Sequence, residues 1–288
     1  MGLRIALPFC CLLACAQDFS NTGIESVAVK LRYAEGPTWT PENILVFTDG
    51  PTNRVMRWVP GEGAQVHREN TSGAAGTALD AQGRLYICES GARRVIRVDK
   101  KNRMEVLAEK WEGKRLNAPN DIVVRKDGHV WFTDPAFGSA VAERELDFWG
   151  VYHITPKGIL SLVAKWKGRP NGVTLSADGR LLFVTDSDER AVRAWDVDKN
   201  GVATNLHTVV SNIPGVPGGL RADENGNLYV AAKYLMVYSP QGTEIHRFEL
   251  AEIPSNCTFG DPDYEALYVT AQTAVYRIRI NVKGAVQH

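Results

Sequence analysis

Little in this chain points toward the common chemistries. Of five cysteines, Cys10, Cys11 and Cys15 fall within the first sixteen residues, leaving Cys88 and Cys257 for the rest. Two cysteines make no disulfide framework, and both stand in apolar, strand-like contexts, so they are expected to be buried free thiols. Neither sign of charge is in excess, with 33 lysines plus arginines against 33 acidic residues. That balance gives no basic field for nucleic acid and no polybasic run for a membrane surface. The chain also lacks amphipathic helical stretches, and its longest apolar run falls short of the roughly twenty residues of a membrane-spanning helix. No nucleophile elbow, phosphate loop, His-Glu-x-x-His or Cys-x-x-Cys is present. These absences leave a small molecule as the expected partner.

The first sixteen residues differ in kind. Arg4 precedes an apolar run at 5–14, and Ala14-Cys15-Ala16 supplies small residues before Gln17. This is the pattern of a cleaved secretory signal. Leu12-Leu13-Ala14-Cys15 is also similar to a bacterial lipobox, in which Cys15 would carry a lipid anchor. Export to the periplasm or beyond is therefore expected, and residues 17–288 are read as a single domain.

What the chain does have is a repeat. A phrase of one pattern begins at Glu35, Ala75, Asn120, Asn171, Gly218 and Asn256. Each copy is an apolar stretch, a turn rich in Asp, Asn and Gly, and a run such as WFTD or LYVAA. That reads as a β-hairpin, with Gly83, Gly128, Gly179 and Gly226 placed to supply positive φ. A further strand pattern follows each hairpin, as in RRVIRVD at 93–99 and AVRAWDVD at 191–198. Six such units predict an all-β, six-bladed β-propeller. The last unit stops after its third strand, and VAVKLRY at 27–33 is a strand without a hairpin of its own. The N-terminal strand is thus expected to complete the last blade, which removes the exposed edges at the seam.

In a propeller the first strand of every blade lines the central channel. The first position of each copy then forms a ring of Glu35, Ala75, Asn120, Asn171, Gly218 and Asn256. One carboxylate and several amides suit a hard cation such as calcium, magnesium or manganese. No histidine stands on the ring, which disfavours zinc. The alternative is that these side chains only satisfy backbone groups at strand starts. About fourteen residues further on come Asp49, Glu89, Asp134, Asp186, Ala232 and Ala271, expected near the channel mouth, where they could touch substrate or brace loops. Trp131, Trp149 and Trp195 are read as core or packing residues, with Trp149 also a candidate for the edge of the mouth.

The phrases EGPTW, GKRLNAPNDIVV, FTDPAFG, RPNGVTLSADGRLLFVTDSD and PSNCTFG together resemble the family of senescence marker protein 30, gluconolactonase and luciferin-regenerating enzyme. The resemblance spans about 35–280. It implies a six-bladed propeller with a divalent cation in the channel and hydrolysis of sugar-acid lactones or related esters. It also implies that Glu35 and Asn171 are metal ligands and that Asn120 lies at the metal, its water or the substrate. Asn117, Asn256 and Trp149 are the candidate substrate contacts. Where the family carries a catalytic aspartate in a Pro-Asp-Gly stretch, this chain has Pro217-Gly218-Gly219, and the family's sugar-contacting arginine is Ala118. A substitute base would come from Asp186, Asp188 or Asp134, or the metal hydroxide would act unaided. The expectation is a metal-dependent lactonase, and the alternative is a propeller that binds without catalysing.

Overall fold

The computed structural model describes Phe19 and residues 22–286; the expected signal with Cys15 lies outside the described residues. Six four-stranded antiparallel sheets account for nearly all of the strand structure. Blade 1 comprises Ala34–Trp39, Leu45–Asp49, Arg54–Val59 and Gly63–Glu69; blade 2 comprises Ala74–Leu79, Leu85–Glu89, Arg94–Val98 and Met104–Ala108. Blade 3 runs through Ile122–Val124, Val130–Asp134, Trp149–Ile154 and Leu160–Trp166, and blade 4 through Pro170–Leu175, Leu181–Asp186, Ala191–Val197 and Ala203–Val210. Blade 5 has Leu220–Ala222, Leu228–Ala231, Leu235–Tyr238 and Glu244–Phe248. Blade 6 has Pro254–Gly260, Ala266–Ala271 and Val275–Arg279, and its outer edge is the N-terminal strand Ile24–Ala28.

The first strands of successive blades touch one another in a closed cycle, from blade 1 round to blade 6 and back. This is a six-bladed propeller. The tight turns form as the repeat predicts: Gly83 and Gly226 take φ of 71° and 82° and donate their N–H groups to Asp80 O and Asp223 O. An L side chain rarely adopts that conformation, so glycine is the residue the turn selects.

Each neighbouring pair of blades shares its own apolar core. Trp39 packs with Tyr268 across the closing seam between blades 6 and 1, while Trp131, Leu175, Leu182 and Trp195 fill the space between blades 3 and 4. Six such cores, each needing two blades, make the circle cooperative, because burying one large apolar side chain is worth about 1.5–3 kcal/mol. Cys88 and Cys257 are both buried free thiols within these cores.

One boundary differs from expectation. The closing strand is Ile24–Ala28, not 27–33, because Lys30 turns at φ 65° and the chain then crosses to blade 1. The crossing is fixed by Leu31 N donating to Thr273 O and Ala34 N to Gln272 O. A short hairpin, Lys110–Trp111 with Lys114–Arg115, is inserted between blades 2 and 3.

Candidate active site

The starts of three inner strands are stitched to the next blade by backbone hydrogen bonds. Gly76 N donates to Asn120 O at 2.6 Å, Gly172 N to Gly218 O at 3.2 Å, and Gly219 N to Ser255 O at 2.8 Å. In each case the residue after one seat reaches the carbonyl of the next seat. The seats are therefore Glu35, Ala75, Asn120, Asn171, Gly218 and Ser255. Asn256, expected on the ring, lies one residue deeper. In blade 6 the inner strand pairs from Pro254, opposite Ala271, so Ser255 and not Asn256 follows the proline into the seat. The signal was present in the sequence, since Pro119, Pro170, Pro217 and Pro254 each immediately precede a seat.

Glu35, Asn120 and Asn171 are half-buried at the channel mouth. Oε2 of Glu35 accepts from Gly36 N at 2.7 Å and from Asn256 Nδ2 at 3.1 Å, which leaves Oε1 open. Burial pushes the Glu35 carboxyl up to about 7; the neighbouring Asp121 charge adds to the rise, and the two hydrogen bonds oppose it. Asn171 Nδ2 donates to Ser187 Oγ at 3.1 Å, and Ser187 Oγ donates in turn to Pro217 O, so the amide is oriented with its oxygen free. The Asn120 amide has no partner among the described residues. Three oxygens are thus available at one level, and only one of them is anionic.

Immediately below is a floor of Gly36, Gly76, Asp121, Gly172, Gly219 and Asn256. The glycines make room for the two side chains. A Cβ on Gly76 would meet Asp121 Oδ1 at 2.6 Å, and one on Gly219 would meet Asn256 Oδ1 at 1.9 Å. Asp121 is fully buried; its Oδ2 accepts from Val173 N at 3.0 Å and faces Arg221 Nη1 at 3.6 Å, while Oδ1 has no partner. Burial raises its pKa, with Arg221 acting against the rise. Below Arg221 the channel keeps about 60 Å³, lined by Thr38, Thr77, Thr174 and Thr258 and closed at the far end by Ala285 and Val286. Asp121, Arg221 and Ser255 were not foreseen as parts of the site.

The second-strand carboxylates do not form a second ring. Asp186 is fully buried and accepts from Trp166 Nε1 at 2.6 Å, Asp188 N at 3.0 Å and Glu189 N at 2.8 Å. Asp188 is held by Arg169, whose Nε lies 3.0 Å from Oδ1, and that contact keeps its pKa below the usual range. Asp134 accepts from Asn117 N at 2.8 Å and is pushed up to about 7 by burial. Asp49 likewise takes the N–H groups of Arg32 and Tyr33. Through these bonds all four, Asp186, Asp188 and Asp134 among them, brace the loops that lead into the seats, while Oδ1 of Asp134 keeps no partner.

The three candidate substrate contacts make their contacts within the protein, with Oδ1 of Asn117 left without a partner. Asn117 is 2% exposed and donates both amide hydrogens, to Asp134 O and Phe148 O. Trp149 begins the third strand of blade 3, roughly 10 Å out from the inner strand at normal strand spacing. There its ring lies 4.1 Å beneath the Arg144 guanidinium. Asn256 is 1% exposed, and its side chain serves Glu35 and Cys257 N. The largest concavity, about 1070 Å³, lies elsewhere, between blades 1 and 2, with Arg57, Arg68 and Lys100 balanced by Glu42, Glu69 and Asp99 and no seat residue in its lining.

Residues 33–273 match the family model described as SMP-30/Gluconolactonase/LRE-like region. The chain belongs to that family. A gluconolactonase from Zymomonas mobilis is 30% identical over 297 residues, covering 92% of this chain and 83% of that protein. A pentonolactonase from Haloferax volcanii is 26% identical, covering 85% and 83%. The solved structure of a gluconolactonase from Xanthomonas campestris superposes with a TM-score of 0.85 at 29% identity, covering 92% of this chain and 91% of that one. Seat five carries no side chain. A Cβ on Gly218 would stand 2.4 Å from Ser255 O, so the backbone itself fills the space a side chain would need.

The donors can be weighed against a divalent cation. Among the described residues no group of three or more His, Cys, Asp or Glu comes together. The free oxygens of Glu35, Asn120 and Asn171 suit a hard cation that keeps several waters, and do not suit one that needs imidazole or thiolate.

Proposed function

We propose that this protein is an exported, divalent-metal-dependent hydrolase of a lactone or a related ester, acting at the mouth of the propeller channel. One observation carries the reading: Glu35, Asn120 and Asn171 present free oxygens at one half-buried level, in a chain of a family whose relatives include lactonases. These three residues would hold the cation. When bound, it supplies polarisation of the ester carbonyl and a lowered pKa for water.

The rest falls to the chain. Gly36 N and Asn256 Nδ2 fix the orientation of Glu35, and Ser187 fixes that of Asn171. The Asn120 amide is free to donate to the ester oxygen. With Gly218 at seat five, none of the six seats other than Glu35 carries a carboxylate to take the proton from water. Loss of a general base costs a factor of about 10²–10⁴. A substrate made reactive by its own ring strain is the one that tolerates that loss.

Purified protein assayed by acid release should open lactones in the presence of calcium, magnesium or manganese, and chelation should abolish the activity. Glu35→Ala should lower kcat/KM by a factor of about 10² or more while leaving the folded spectrum unchanged. Unaltered turnover in that variant, or full activity after chelation, would overturn the reading. Export rests on the sequence of residues 1–16; the mass of the mature chain from cells distinguishes cleavage after Ala16 from lipidation at Cys15.

The closed backbone at seat five favours a second reading, a propeller that binds the same ligand without turnover. The two part on a single measurement. Saturable lactone binding without acid release would support the binder.

A further inference from the structure

The residues two positions before each seat form the approach to the site. Two peptide units span at most about 7 Å, which keeps each of these residues close to its seat. They are Tyr33, Gly73, Ala118, Arg169, Val216 and Ile253. Val216 is 64% exposed, Ile253 56% and Tyr33 44%. They belong to blades 5, 6 and 1, which are consecutive around the ring. Gly219 N bonded to Ser255 O, and Ser255 Oγ bonded to Ala34 O at 2.6 Å, tie the starts of those three inner strands together. Single exposed apolar residues on a surface mean little, but three in succession along one arc of a binding mouth form a patch.

On the opposite arc the equivalent positions offer few groups to a polyol. Gly73 and Ala118 have no polar side chain. Arg169 is committed to Asp188, and its guanidinium lies 4.8 Å from the Phe137 ring. A ligand covered in hydroxyls would lose water along blades 5 and 6 without recovering hydrogen bonds, which is unfavourable. A ligand with a hydrocarbon arm would instead cover the patch.

We infer that the substrate is a lactone bearing an alkyl or aryl substituent, with the ring carbonyl at Glu35, Asn120 and Asn171 and the substituent lying across Val216, Ile253 and Tyr33. This rests on the lactonase reading above and narrows its substrate class. The test compares δ-valerolactone, δ-octalactone, δ-decalactone and glucono-δ-lactone by kcat/KM. Each added methylene should raise kcat/KM by about two- to fourfold until the patch is covered. The Val216→Ser/Ile253→Ser double variant should lower the decalactone-to-valerolactone ratio by about fivefold or more.

A flat or falling dependence on chain length, or an unchanged ratio in the double variant, overturns the inference. Hydrolysis of glucono-δ-lactone at a rate equal to δ-decalactone overturns it while the lactonase reading stands. If no lactone is opened, the lactonase reading fails, and thermal shift with the corresponding δ-lactams decides the inference alone. Stabilisation that grows with chain length and is lost in the double variant supports it; equal shifts for every chain length overturn it.

Discussion

Blades 4 and 5 begin with nearly the same phrase and end with different sites. In blade 4, Pro170-Asn171-Gly172 sets an amide at the mouth, and the second strand returns with Thr185 and Asp186. Thr185 Oγ1 donates to Gly218 O at 2.6 Å and accepts from Gly172 N at 2.7 Å, while Asp186 gathers the loop beyond it. In blade 5, Pro217-Gly218-Gly219 is answered by Ala231 and Ala232. The backbone bonds there are of the kind other blades make, Gly218 N to Ala231 O at 2.8 Å as Asn120 N to Thr133 O at 2.9 Å in blade 3, and Gly219 N to Ser255 O at 2.8 Å, but no side chain stands beside them. A seat is thus more than the residue that occupies it. It needs a hydroxyl that spaces it from the next blade and a carboxylate that holds its loop, and blade 5 has lost all three together.

The sharpest way to break the comparison is to force a side chain into seat five. Gly218→Asp places a Cβ 2.4 Å from Ser255 O, and that carbonyl cannot move without releasing Gly219 N. Overpacking of this kind costs about 2–3 kcal/mol. Thermal melting should therefore fall by about 5–10 °C for a chain of this size, with no gain in lactone turnover. Ala75→Asp, at a seat that already carries a Cβ, should fold as the parent does. A Gly218→Asp protein of undiminished stability and raised turnover would show that seat five is open, and the closed-backbone account would be wrong.

The same two blades differ at their outer turns. Gly201 of blade 4 packs on a buried imidazole pair from blade 3, His129 Nδ1 and His153 Nε2, which are 2.7 Å apart; a Cβ on Gly201 would meet His153 Nε2 at 2.4 Å. Its counterpart in blade 5, Gly242, packs on Val209 O. Burial, with the His129 and Arg125 charges, lowers the pKa of His153 to about 4, so it stays neutral in the folded protein. In the unfolded chain a histidine takes up a proton near pH 6.5. The stabilisation is therefore complete above about pH 6.5 and is lost as the pH falls toward 4, by about 2–3 kcal/mol. Urea unfolding at pH 7.5 and pH 4.5 should show that loss, and His153→Gln should flatten it. An equal pH slope in the variant would remove the pair as its source.

Most of the architecture was legible because the repeat carries it. Glycines at the turns, alternating apolar runs and the unpaired strand at the N terminus specify six blades and their closure without reference to any contact. The seats were legible to within one residue, since a proline precedes four of them and Asn256 is the second residue after Pro254, not the first. Asp121 was visible as the one charged residue in a position otherwise filled by glycine or Asn256. Its depth, and the Arg221 guanidinium beneath it, depend on how far inner strands approach each other, which spacing along one chain does not encode. The second-strand carboxylates were misread for a related reason. Strand pairing gives their height along the axis, whereas the hydrogen bonds that turn them toward loop N–H groups come from residues 2–20 positions away.

The smallest expected effect tests the spacing hydroxyl itself. Thr185→Ala in blade 4 reproduces what Ala231 already is in blade 5. The hydroxyl bridges Gly172 N and Gly218 O, but those two groups also meet directly at 3.2 Å, so neither is orphaned when it goes. The cost should accordingly sit near the low end for a buried hydrogen-bonding group, about 1 kcal/mol, with Thr185→Ser losing less. Chemical unfolding midpoints of the two variants measure it. If alanine and serine are equally destabilising, lost methyl packing is responsible and the hydroxyl is not what holds blades 4 and 5 apart. If alanine alone is costly, blade 5 tolerates Ala231 only because Gly218 and Gly219 let the backbone make the bonds that the threonine makes elsewhere.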